Sequence, residues 1–148
     1  MLRGIPENIS PELLKALADM GHGDRIVIAD NFYPAVSRAK DGITINCKGN
    51  TAAEMVESIL KLMPLDVDYC EYPVEIMKPD PGFEHTLPER PKVWDDVIEA
   101  VKKNEPKDCV GYIGRTDFYE KASHVFVTVS TSETGTYGCI IMQMGVTS

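Results

Sequence analysis

His22 stands between two glycines, in Met20-Gly21-His22-Gly23-Asp24. Glycines add no side-chain volume, so the imidazole is left open to a ligand on either side. Imidazole titrates near neutrality and is suited to moving protons at physiological pH. The same segment also reads as a helix C-terminal turn whose solvated histidine favours the helix dipole. Asp30 falls where the apolar run Ile26-Val27-Ile28-Ala29 gives way to the loop Asn31-Phe32-Tyr33-Pro34. Ligand sites of open α/β sheets lie beyond the carboxyl ends of strands, and Asp is also a common turn-former there. Paired with His22, the Asp30 carboxylate would orient the imidazole and hold its tautomer, giving a proton-transfer group.

The C-terminal half holds two further candidates. Arg115 and Tyr119 are four residues apart, one helical turn, so a guanidinium and a phenol can face one ligand. A solvated surface charge and a half-buried core aromatic are the alternative readings. Tyr137 follows a turn and precedes an apolar strand, which places its phenol near a rim. Gly138 beside it permits close backbone approach, and Cys139 follows. No metal is expected, because His22, Asp24, Asp30, His85 and His124 show neither H-x-x-x-H nor H-E-x-x-H spacing. The chain has no G-x-G-x-x-G, no G-x-x-x-x-G-K-[ST] and no G-x-S-x-G, which argues against dinucleotide, P-loop nucleotide and serine hydrolase chemistry. No cofactor is expected.

The elements that must position these residues read as alternating strands and helices. Ser10-Pro11 is a helix start, with Leu13, Leu14, Leu17 and Met20 on one face and Gly21 as the stop. Ile26 to Ala29 reads as a buried strand, and Ile43 to Cys47 as a second. Thr51 and Glu54 form a capping box ahead of Met55, Val56, Ile59, Leu60 and Met63. Val74 to Met77 is a strand before the proline-rich stretch from Pro79 to Pro91, an exposed loop or lid. Val93, Trp94, Val97, Ile98 and Val101 repeat at helical spacing. Cys109 to Ile113 is a strand, Thr116 caps a short helix, and Val125 to Ser130 and Tyr137 to Met144 are strands forming an antiparallel pair. The pattern predicts one α/β domain, residues 1–148, with a mixed, mostly parallel sheet flanked by helices.

The 148 residues carry 15 Lys and Arg against 23 Asp and Glu, a net charge of −8. Such a field does not concentrate polyanions, so charge argues against nucleic acid and acidic membranes as partners. No apolar run reaches transmembrane length and the N-terminus lacks a signal-peptide core, so the expected location is cytoplasmic. Cys47, Cys70, Cys109 and Cys139 form no C-x-x-C pair and read as small buried hydrophobes of a reducing compartment.

Together the residues resemble the small sugar mutarotases that include L-fucose mutarotase and D-ribose pyranase. The resemblance covers nearly the full length. It rests on ISPELLKALADMGHGDRIVIADNFYPA, on KLMPLD at 61–66, on Arg115 with DFYEKA at 117–122, and on TYGCIIMQMGV near the end. The MGHGD, FYEKA and YG elements are more similar to the L-fucose branch. The resemblance implies the family's α/β fold and interconversion of the α and β anomers of a free sugar without metal or cofactor. It further implies a ring-shaped homo-oligomer, compatible with a decamer, with sites at subunit contacts. It makes His22 and Tyr119 the catalytic candidates, and Asp30, Arg115, Tyr137, Gly138 and Cys139 the sugar-binding ones. The family commonly carries Asn at the position of Cys139, and Arg-Ala-Asp-Gly where this chain reads Asn46-Cys47-Lys48-Gly49. A thiol is a weaker hydrogen-bonding group than an amide, so sugar selectivity is expected to shift. A non-catalytic sugar-binding protein, a mutarotase for another sugar such as D-ribose, and a structural oligomer without a small ligand are the alternatives.

Overall fold

A computed structural model describes residues 2–147, so the expected domain bounds 1 and 148 lie just outside the described residues. The elements run α1 (Pro11–Asp19), β1 (Arg25–Ala29), α2 (Ala35–Arg38), β2 (Ile43–Asn46), α3 (Ala52–Leu60), β3 (Val74–Lys78), a 3-10 turn (Glu84–Thr86), α4 (Lys92–Asn104), β4 (Val110–Gly114), α5 (Arg115–Ala122), β5 (Val127–Ser130) and β6 (Ile140–Gln143). All six strands form one sheet in the order β2-β5-β1-β6-β3-β4. Strand β1 pairs parallel with β5, β2 with β5 and β3 with β4, while β6 runs antiparallel to both β1 and β3. The sheet is thus mixed and mostly parallel, as expected, but β5 and β6 do not pair with each other. Strand β1 lies between them, and the segment from Thr131 to Cys139 crosses over its carboxyl end instead of closing a hairpin.

The β1 run is apolar throughout because both faces of the sheet are covered. Ile26 and Ile28 point into a core shared with α1, α3 and α4, whereas Val27 and Ala29 point into a second core with Phe118 and Ala122 of α5. Alternation of side chains across the pleat sends neighbours to opposite layers.

Local chemistry explains the starts of α1 and α3. The Ser10 hydroxyl accepts from the Leu13 amide, and Thr51 and Glu54 close both halves of the capping box. Helix α1 departs from expectation in stopping at Met20, which is extended, and the left-handed glycine of that turn is Gly23 with φ 89°. Helix α5 also departs. Its N-cap is Gly114, without a side-chain cap, and the Asp80 carboxylate from the proline-rich segment substitutes. Asp80 accepts from the Thr116 amide at 3.2 Å and the Thr116 hydroxyl at 2.6 Å, and these bonds lower its pKa below the ordinary value. A Cβ on Gly114 would lie 2.7 Å from the Asp80 carboxylate oxygen, so a larger residue there would displace the cap.

The edge strand β2 is tied down by His124, which precedes β5. Its Nδ1 bonds Asp41 and its Nε2 lies 3.4 Å from Glu120. The hydrogen bond and charge of Asp41 raise its pKa above 6.5. A folded-state pKa above the unfolded value stabilises the fold fully below about pH 6.5 and ceases to do so as pH rises through the raised value. Asp41→Asn is therefore expected to lower stability at pH 6 and to converge on the parent in alkaline buffer, measured by urea unfolding at both pH values.

Candidate functional site

One edge of the sheet gathers the residues from which a site can be built. Asp30 follows β1, Arg115 and Tyr119 belong to the helix after β4, and Tyr137, Gly138 and Cys139 precede β6. Because β6 is antiparallel to its neighbours, its start lies beside the carboxyl ends of β1 and β3. There Asp30, Phe32, Tyr33, Met77, Arg115, Tyr119, Thr136, Tyr137 and Cys139 line a cavity of about 300 Å³, at the small end of the range for small-molecule pockets.

Asp30 is 4 % exposed. Its Oδ1 accepts from the Phe32 and Tyr33 amides at 3.0 and 2.9 Å, and its Oδ2 accepts from the Gly138 amide at 3.2 Å. It closes the turn after β1 and ties that turn to the start of β6. Gly138 is needed at this crossing, since a Cβ there would lie 2.9 Å from the Gly135 carbonyl. Arg115 and Tyr119 do share one ligand-facing side. The guanidinium lies over the phenol ring at 4.6 Å, with Nη2 at 3.5 Å from the hydroxyl. Arg38 of α2 stands 5.0 Å from the same ring.

Tyr137 is the one non-glycine residue with positive φ, 55°, among the described residues. A left-handed tyrosine persists only where its surroundings hold it. The Trp94 indole N–H donates to the Tyr137 carbonyl at 2.9 Å, the adjacent Gly138 amide is bound by Asp30, and the Thr86 hydroxyl lies 2.6 Å from the phenol oxygen. Cys139 is fully buried, and its Sγ accepts from the Asp30 amide at 3.4 Å. Burial, with the Asp30 charge nearby, pushes its thiol well above the usual range, so it stays protonated and serves as wall. The cysteines are all free, with Cys47, Cys109 and Cys139 buried.

His22 is not part of this edge. It precedes β1, whereas Asp30 follows it, and five residues at about 3.3 Å each place the two sheet edges roughly 15 Å apart. The expected His22–Asp30 pair is therefore corrected: a strand crossing the full sheet separates them. The partner of His22 is Asp66, whose Oδ1 lies 3.1 Å from Nε2. Asp66 is 3 % exposed and also accepts from Gln143 Nε2 at 2.8 Å, while Gln143 Oε1 accepts from Arg25 Nε at 3.0 Å. Burial would raise the Asp66 pKa, but hydrogen bonds from Gln143 and His22 outweigh it and leave the carboxyl below its ordinary value. The Tyr69 ring lies 5.0 Å from the imidazole, and the His22 side chain remains 39 % exposed.

Asp66, Tyr69, Trp94 and Thr86 were not singled out as site residues on sequence grounds. Asp66 lies in the KLMPLD element, where an Asp directly after a short apolar run carries the same signal as Asp30 does. The others depend on contacts distant in sequence. Tyr33 was also missed, and its hydroxyl is buried with no hydrogen-bond partner among the described residues. Burial pushes that phenol up to about 12. An unpaired buried hydroxyl is unfavourable, so Tyr33→Phe is expected to stabilise the protein by about 1 kcal/mol, read as a melting-temperature rise of about 3 °C.

The fold and site define a single-sheet α/β protein with a small cavity, rimmed by aromatic and charged groups, at the carboxyl ends of its strands. Residues 3–147 match the model of the RbsD / FucU transport protein family, and the chain belongs to that family. The human fucose mutarotase is 39 % identical over 146 residues, covering 98 % of this chain and 94 % of that protein. An L-fucose mutarotase of Actinobacillus pleuropneumoniae is 40 % identical over 148 residues, covering 99 % and 98 %. Among solved structures, the fucose mutarotase of Streptococcus pneumoniae in complex with L-fucose superposes with a TM-score of 0.87 at 39 % identity, covering 99 % of this chain and all of that one.

Proposed function

We propose that this protein is a mutarotase that interconverts the α and β anomers of a free monosaccharide, L-fucose or a sugar of similar configuration. The carrying observation is the cavity of about 300 Å³ that gathers Asp30, Arg115, Tyr119 and Tyr137 in a chain whose relatives are named for this activity. Mutarotation needs a proton delivered to the ring oxygen as another leaves the anomeric hydroxyl, and then the reverse after rotation of the opened aldehyde. Two groups that give and take a proton in turn perform this without a cofactor. His22 is the proton carrier and Tyr119, beneath the Arg115 guanidinium, is its counterpart. Asp30, Arg115 and Tyr137 hold the remaining hydroxyls and Cys139 completes the wall, while Gly138, expected as a sugar-binding residue, spends its amide proton on Asp30 and acts by fixing that carboxylate.

Because His22 and the cavity occupy opposite sheet edges, a complete site requires two copies. A head-to-tail contact that brings the His22 edge of one copy onto the cavity edge of another forms a ring when its rotation closes, in keeping with a ring-shaped homo-oligomer such as a decamer. Exposed Tyr69 at one edge and exposed Phe32 at the other, 77 % and 64 % accessible, are the aromatic surfaces such a contact would cover. Among the described residues no helix is long and apolar enough to cross a membrane, and the free cysteines suit the reducing cytoplasm.

Exchange NMR of L-fucose with catalytic amounts of protein tests the activity, with D-ribose, L-rhamnose and D-galactose alongside. Faster exchange for L-fucose than for D-ribose is expected. Sugar binding without acceleration would instead identify a binding protein and make Cys139→Asn the informative variant.

A further inference from the structure

We propose that Thr86 is a positioning residue that fixes Tyr137 as a hydrogen-bond acceptor toward the bound sugar, an inference that rests on the mutarotase reading and deepens it. Thr86 ends the 3-10 turn in the proline-rich segment. Its hydroxyl oxygen lies 2.7 Å from the Phe83 carbonyl oxygen and 2.6 Å from the Tyr137 phenol oxygen. A carbonyl only accepts, so at that separation the single Thr86 proton lies between Thr86 and Phe83. Toward Tyr137 the Thr86 oxygen can then only accept, and the phenol must be the donor.

With its one proton directed at Thr86, Tyr137 presents lone pairs to the cavity that it lines. It receives a hydrogen bond from a sugar hydroxyl and does not give one. The point from which the phenol projects is fixed, because the backbone is held at φ 55° by the Trp94 indole on the carbonyl side and by Asp30 through the next amide. The first turn of α4 adds to the hold, since Val93 packs against the places where Cβ atoms of Gly135 and Gly138 would stand. The proline-rich segment thus acts on Tyr137 through the Thr86 oxygen. Its consequence is selectivity for a sugar that carries a donor hydroxyl at this position, and rejection of an acceptor-only replacement such as a methyl ether.

A double-mutant cycle between Thr86 and Tyr137 tests this, read both as KM and kcat for L-fucose anomer exchange and as the Kd for L-fucose. Thr86→Val is expected to raise KM and Kd about fivefold, as for loss of one neutral hydrogen bond, with a smaller change in kcat, and Thr86→Ser to restore both. In a Tyr137→Phe background Thr86→Val should add nothing, because the atom through which it acts is gone. Equal effects of Thr86→Val in both backgrounds, or failure of Ser to restore binding, would overturn the proposal and leave a loop-ordering role. If the parent protein binds L-fucose without accelerating exchange, the mutarotase reading fails, and the cycle in Kd still decides the role of Thr86. Absence of L-fucose binding overturns both.

Discussion

His22→Ala is expected to lower the protein-dependent rate of anomer exchange by about 10²- to 10⁴-fold, the usual contribution of a positioned acid–base group. The geometry specifies which nitrogen does the work. Asp66 is held below its ordinary pKa, so near neutrality it is a carboxylate and can only accept. Nε2 of His22, 3.1 Å from it, must therefore be the donor in that contact, which leaves Nδ1 as the nitrogen that Asp66 does not engage. The arrangement survives in solvent because Gln143 and Arg25 brace the carboxylate from behind. The imidazole is 39 % exposed and fills no core volume, but its removal takes one hydrogen bond from the buried Asp66, so the Ala variant should remain folded and melt a few degrees lower, about 1 kcal/mol less stable. Loss of exchange with retained fold separates a catalytic role from a structural one, while an unchanged rate would remove His22 from the mechanism.

The layered α/β fold was legible because periodicity and caps are local. The β1 run, the capping box at Thr51 and Glu54 and the stripe on α4 all reappear in the structure. What escaped was set by crossings. The antiparallel pairing expected between β5 and β6 rested on their adjacency in sequence, yet β1, laid down far earlier, takes a place between them. Asp80 as the remote cap of α5 shows the same cause, since a carboxylate 36 positions away leaves no trace in the helix's own first turn. At the site, Arg115 and Tyr119 came together because one helical turn relates them. His22 and Asp30 did not, although they are close in sequence, because the segment between them is extended strand. A hydrogen bond across 44 positions, from His22 to Asp66, had no spacing rule to reveal it.

Separation of His22 from the cavity makes the second large effect a gain: two inactive variants should restore one another. His22→Ala retains an intact cavity, and Tyr119→Phe retains an intact imidazole edge. In a head-to-tail ring each site takes its cavity from one copy and its His22 from the next. Equal random mixing then leaves about one site in four with both parts whole, from the heterologous geometry of such a contact. The deciding measurement is the L-fucose anomer-exchange rate, by NMR, of the two variants refolded together, compared with each alone. Recovery to about a quarter of the parent rate is expected for sites shared between heterologous neighbours. A mixture no faster than the average of its two inactive components would contradict a catalytic site built from His22 of one copy and the cavity of another.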